Sequence, residues 1–188
     1  VTGWVQETIS TPQEMVMYLD VVVTDDWKTL IRDLPVIVVG SYTDVTGRRD
    51  ANTTRLYPFQ VERVLKGRVQ GKRIHIAKQD RIYFKSIRDD RGKPVYVKYP
   101  LYVKPRPHQR MLLFLREDSS GIYSTRFANG EWTIRPNGSL DMPVSSASGK
   151  EKLLTTNKGK RIRVRVEGAS YPRLPKKQLQ DLIEIIGR

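Results

Sequence analysis

Val36-Ile37-Val38-Val39-Gly40 is an unbroken β-branched run closed by a glycine, and Met111-Leu112-Leu113-Phe114-Leu115 is its counterpart later in the chain. A strand with one wet face alternates apolar with polar residues, so an unbroken apolar run marks a strand buried on both faces. Two such strands predict a sheet covered on both sides. The rest of the chain has to supply the cover.

The neighbouring segments fit that demand. Tyr57, Phe59 and Val61 alternate with Gln60 and Glu62, and the phase then slips at Val64 and Leu65. A one-residue slip predicts a β-bulge, which bends a sheet toward closure. Ile74 and Ile76 alternate with Arg73, His75 and Ala77 in the next strand, which turns His75 away from the core. Residues 82–103 read as a long hairpin turning at Asp89-Asp90-Arg91-Gly92, with Val95, Val97, Tyr99, Leu101 and Val103 on one face. Pro100 favours an edge position. Short strands are expected within 122–127 and 131–134, with Asn129-Gly130 as the turn between them, and a last strand carries Ile162, Val164 and Val166. The Ser-, Gly-, Asn- and Lys-rich stretch 136–159 is expected to loop out.

Two helices flank the strands. Trp27, Leu30, Ile31 and Leu34 form one stripe, with Thr24 as the expected cap, Asp25 and Asp26 in the first turn and Pro35 as the stop. Pro175 opens a second helix with Leu179, Leu182, Ile183 and Ile186 on one side. The expected fold is therefore mainly β: an antiparallel barrel with a short N-terminal-side helix and a C-terminal helix. Residues 1–23 form an N-terminal extension with a strand, and 24–188 form a single β-barrel domain with a long basic hairpin near 81–104.

Three stretches together resemble the signature of a bacterial extracytoplasmic family: Val36–Gly40; Tyr57-x-Phe59-x-Val61-Glu62-x-Val64-Leu65-Lys66-Gly67; and Leu112–Leu115. Members of that family are lipoproteins or membrane-tethered β-barrels, mostly of unassigned function. The resemblance implies an OB or netrin-like barrel and a cell-envelope location, with membrane tethering in the native protein. The netrin-like inhibitors act through an N-terminal cysteine, which this chain lacks, so inhibition is not inherited.

Charge narrows the partner class. The chain has 34 Lys and Arg against 20 Asp and Glu, a formal +14. Residues 1–47 hold 2 basic and 7 acidic groups, whereas residues 48–110 hold 18 basic and 5 acidic. Arg63, Lys66, Arg68, Lys72 and Arg73 gather about one hairpin. Arg88, Arg91, Lys93 and Lys98 line the longer one, together with Arg81 and Lys85. Tyr96 and Tyr102 share the face of Lys98 and are candidate aromatic contacts. Arg161, Arg163 and Arg165 form a further basic ladder opposite Ile162 and Val164. An excess of this kind suits an anionic polymer, a membrane surface or a protein partner at the cell envelope. The alternative is a cytosolic OB-like module for single-stranded nucleic acid, in which bases stack on the rings.

Catalytic signals are lacking. There is no cysteine, and of the two histidines neither His75 nor His108 has a carboxylate or second histidine at metal-ligand spacing. Ser119-Ser120-Gly121 and Ser145-Ser146 lie outside any nucleophile elbow. Gly149-Lys150 lacks the remainder of a phosphate loop. Asp89-Asp90 reads as turn chemistry. The expectation is a binding module with no enzymatic activity, bound metal or small-molecule cofactor.

Overall fold

The computed structural model describes residues 13–18, 26–51, 54–99, 102–125, 130–142, 150–167 and 174–188. The readings at Val21–Val23, Thr24, Asp25, Pro100, Leu101, Phe127, Asn129, Ser145, Ser146 and Gly149 lie outside them. In chain order the elements are β1 Gln13–Tyr18, α1 Trp27–Asp33, β2 Val36–Tyr42, β3 Arg48–Ala51, β4 Thr54–Lys66, β5 Arg73–Gln79 and β6 Arg81–Arg88. There follow β7 Pro94–Lys98, β8 Arg110–Glu117, β9 Tyr123–Ser124, β10 Glu131–Ile134, β11 Leu140–Asp141, β12 Lys150–Thr155, β13 Arg161–Glu167 and α2 Leu179–Ile186.

Five strands close into a barrel in the order β2-β4-β5-β9-β8 and back to β2. Every contact around the ring is antiparallel except β5 with β9, where Ile76 pairs with Tyr123 in parallel. The two unbroken apolar runs are the barrel strands buried on both faces. Val36 and Val38 of β2 and Met111, Leu113 and Leu115 of β8 point inward to Tyr57, Phe59, Ile74, Ile76 and Tyr123. Ile37, Val39, Leu112 and Phe114 point outward to Trp132, Ile134, α1 and α2. The phase slip in β4 is a pair of register shifts against β2, between Ile37 and Val38 and between Val39 and Gly40. Gly40 is required there, because a Cβ would collide with the Gln60 carbonyl and the Phe59 ring.

The helices cover the outer face. Trp27, Leu30 and Leu34 are buried, and Trp27 stacks obliquely on Trp132 with ring centroids 4.5 Å apart. The Trp27 indole N–H donates to the Pro175 carbonyl at 2.8 Å, joining the approaches of the two helices. Asp26 is the N-cap of α1, its carboxylate accepting from the Lys28 amide at 3.0 Å. The cap thus falls two residues later than the expected Thr24, and Asp26, expected inside the first turn, lies just outside the helix with an extended backbone.

Outside the barrel, β13 lies between β1, parallel to it, and β12, antiparallel to it. The β6–β7 hairpin packs on this sheet through Ile82, Phe84, Ile87, Val95 and Val97, which meet Ile162 and Val164 in a separate apolar cluster. The expectation that 136–159 loops out is corrected: β11 and β12 lie inside it. Leu154 is paired with Ile162 and packed against the hairpin cluster, so a tertiary contact overrides a loop-like composition.

Candidate functional site

The hairpin is positioned by an ion cluster at its root. Asp80, the residue between β5 and β6, is 8% exposed and accepts hydrogen bonds from Arg49 (2.6 and 3.1 Å) and from Arg55 (2.9 Å). Arg81 lies 3.9 Å from the same carboxylate. Burial alone would raise the Asp80 pKa, but the Arg49 and Arg55 hydrogen bonds outweigh it and hold the carboxyl below its ordinary range. The turn at the far end is set by Asp89, whose Oδ1 accepts from the Arg91 amide at 3.0 Å and the Lys93 amide at 2.8 Å.

Arg81 ties this root to an aromatic platform. Its guanidinium carbon lies 4.4 Å from the centre of the Tyr96 ring, and the Lys152 ammonium lies 5.2 Å from the same centre. Tyr83 is the cross-strand partner of Tyr96, with centroids 5.6 Å apart. Tyr96 remains 38% exposed. A cleft of about 730 Å³ opens beside it between the hairpin and β12, lined by Tyr83, Lys93, Tyr96, Lys152, Asp89 and Asp90. The acids leave the cleft floor mixed in sign. The excess of positive charge sits on the rim, where Arg88, Arg91, Lys93 and Lys98 are exposed and pair with no carboxylate among the described residues.

The other basic candidates lie elsewhere. Arg63, Arg68, Lys72 and Arg73 are exposed at the β4–β5 turn, and the root of the hairpin is at the opposite end of β5. Seven strand residues put ~20 Å between that turn and the root of the hairpin. Lys66 is in neither group. Its ammonium donates to the carbonyls of Ile31, Arg32 (3.2 Å) and Leu34 (2.9 Å), so it caps the end of α1 and is not displayed to a ligand. Tyr102 likewise departs from the expected exposed contact. It is half-buried against the barrel interior, and its hydroxyl is hydrogen-bonded to that of Tyr57. Arg161 and Arg163 are exposed opposite the buried Ile162 and Val164, as their alternation requires.

Residue reasoning missed Lys152, which lies in the stretch read as a loop, and the Arg49–Asp80–Arg55 root. No local signal marks either, since both depend on strand pairings distant in sequence. A second network was also illegible. The Lys78 ammonium contacts both Glu131 oxygens at 2.8 and 3.0 Å, and the Tyr42 hydroxyl donates to Glu131 at 3.3 Å. It bridges β5 to β10 beyond the point where β9 pairs with β5, so an ion pair continues the barrel seam past its last backbone ladder.

Among the described residues no three His, Asp or Glu side chains converge as a metal site, and no helix is long and apolar enough to cross a membrane. No protein-family model matches the chain, and neither a curated protein nor a solved structure matches it.

Proposed function

We propose that the chain is a non-enzymatic binding module that holds an anionic polymer or surface at the cell envelope through the rim of the β6–β7 hairpin. The observation that carries this reading is the set of exposed cations without carboxylate partners, Arg88, Arg91, Lys93 and Lys98, around the Arg81–Tyr96–Lys152 platform. Cations on a packed hairpin need little reordering to meet a negatively charged chain, and long-range attraction speeds the encounter. The envelope location and the tether rest on the signature resemblance. An OB-like description of the barrel is supported by its five-strand closure and the single parallel contact between β5 and β9.

Charge recognition is favoured over base stacking. Tyr102 is engaged with Tyr57, and the Tyr96 ring already has two cations beside it. The exposed part of Tyr96 keeps single-stranded nucleic acid as the second reading.

The experiment titrates the parent and an Arg88→Ser, Arg91→Ser, Lys93→Ser, Lys98→Ser variant with polyphosphate, anionic vesicles and oligothymidylate at low and high salt. The parent is expected to bind with an affinity that falls steeply as salt releases the counterion advantage and screening shortens to about 8 Å. The variant is expected to bind weakly and stay folded. Equal binding by both proteins at low salt would overturn the proposal. A Tyr96→Ala loss of about 1–3 kcal/mol on oligothymidylate alone would transfer it to nucleic acid.

A further inference from the structure

The segment 103–110, which leads into β8, is pinned to the Tyr42 end of β2. Pro105 is buried, Pro107 forms a β-bridge with Tyr42, and the His108 amide donates to the Tyr42 carbonyl at 3.1 Å. His108 has φ 61° and is the one non-glycine residue with positive φ among those described. A left-handed conformation is uncommon at a residue with a Cβ, histidine adopting it more readily than most, and the hydrogen bond from the His108 amide to Tyr42 accompanies it here. His108 lines a cleft of about 810 Å³ between the loop and the β10–β11 hairpin.

The cleft has a built asymmetry of charge. Four cations line it, Lys104, Arg106, Arg110 and Arg135, together with His108. Two carboxylates are engaged by two of the arginines. Glu62 takes Arg110 at 2.6 and 2.9 Å, and Asp141 takes Arg135. Lys104, Arg106 and His108 are exposed, and their side chains make no hydrogen bond or ion pair with any described residue. Lys104, Arg106 and His108 line the same cleft from one five-residue stretch and carry an ammonium, a guanidinium fork and an imidazole, donor types that suit a tetrahedral oxyanion. The cleft is much larger than one oxyanion and falls within the range of organic-ligand sites. Its remaining wall includes Val103, Ile134 and Met142, which offers apolar surface to whatever carries the anion.

We infer that this cleft binds a phosphate group borne on an organic moiety, with Lys104, Arg106 and His108 as its donors. The site is separate from the hairpin rim and does not depend on the function proposed for it. The phosphate can belong to a soluble ester or to a lipid headgroup, and the two sources are separable.

The test uses the two histidines of the chain as paired reporters. His75 is exposed on β5 and lines neither cleft, so it serves as the internal reference. Glycerol 3-phosphate, and separately a short-chain phosphatidylglycerol kept monomeric below its micelle concentration, are added to the full chain while the imidazole NMR signals are followed. The expected result is a saturable shift or broadening at His108 with His75 unmoved. Response to the ester assigns a soluble ligand, and response to the short-chain lipid alone assigns a lipid headgroup. Lys104→Gln with Arg106→Gln is expected to weaken the interaction about tenfold or more, the scale of one lost charge-assisted hydrogen bond. The four-serine hairpin variant is expected to keep it, so failure here and failure of the hairpin reading are distinguishable. Absence of a response at His108 to either ligand, or an equal response at His75, would overturn the inference. So would undiminished binding by the Lys104, Arg106 variant.

Discussion

Lys66 shows how a single side chain changes meaning once its neighbours are known. In sequence it is one of five cations about a turn; in the fold its ammonium gathers three carbonyls at the end of α1. A cation at a helix C-terminus is worth about 0.3–1 kcal/mol, and up to about 2 when partly buried. Lys66→Met is therefore expected to lower stability by about that amount in urea denaturation and to leave polyanion binding unchanged. A loss of binding with unchanged stability would return Lys66 to the ligand surface. Asp80 carries the pH dependence at this scale. Its folded pKa is depressed, so the carboxyl contributes stability that is present above its unfolded value of about 3.9 and lost as pH falls through the lower folded value. Asp80→Asn should flatten that acid limb and destabilise the protein at neutral pH. An acid limb identical to the parent's would show that the arginines at the root are satisfied otherwise.

Among the elements, β8 and the seam beside it carry the most weight. Leu113 is fully buried inside the barrel, and Leu113→Ala is expected to cost about 2–5 kcal/mol by equilibrium denaturation, the range for a cavity in a packed core. A cost under about half a kcal/mol would mean that this strand does not line the core. The seam between β5 and β10 is a different matter. Lys78 and Glu131 are 9% and 15% exposed, so removing one partner strands the other charge away from water. Glu131→Gln is expected to cost about 3–5 kcal/mol, and the double change Lys78→Met with Glu131→Leu to recover most of it. Equal losses for the single and double variants would show that the pair contributes nothing specific to closure. The hairpin also belongs here. Its apolar face was legible from Val95 and Val97, and its partner surface on β12 and β13 was not, because a period of two says which residues are buried and not what buries them.

For the whole molecule, positive charge is displayed at separate places: the hairpin rim, the β4–β5 turn and the 103–110 cleft. Binding to a long polyanion is expected to grow shallower in its salt dependence when the four rim cations are removed, since the slope counts the charges neutralised. An unchanged slope in titrations at graded salt would place the contact at another of these surfaces. The sequence by itself determined the mainly-β class, the two central strands buried on both faces, the bulged β4 and the amphipathic stripes of α1 and α2. Each follows from a periodicity contained within a dozen residues, where backbone geometry links spacing to face. Only the tertiary structure decided that Lys66 caps a helix, that Tyr102 turns inward to Tyr57, that Lys152 reaches Tyr96, and that His108 overlooks a cleft ringed by Lys104 and Arg106. Those outcomes depend on which segments meet across the fold, and the charge of a side chain is the same whether a carbonyl, a ring or open water lies opposite.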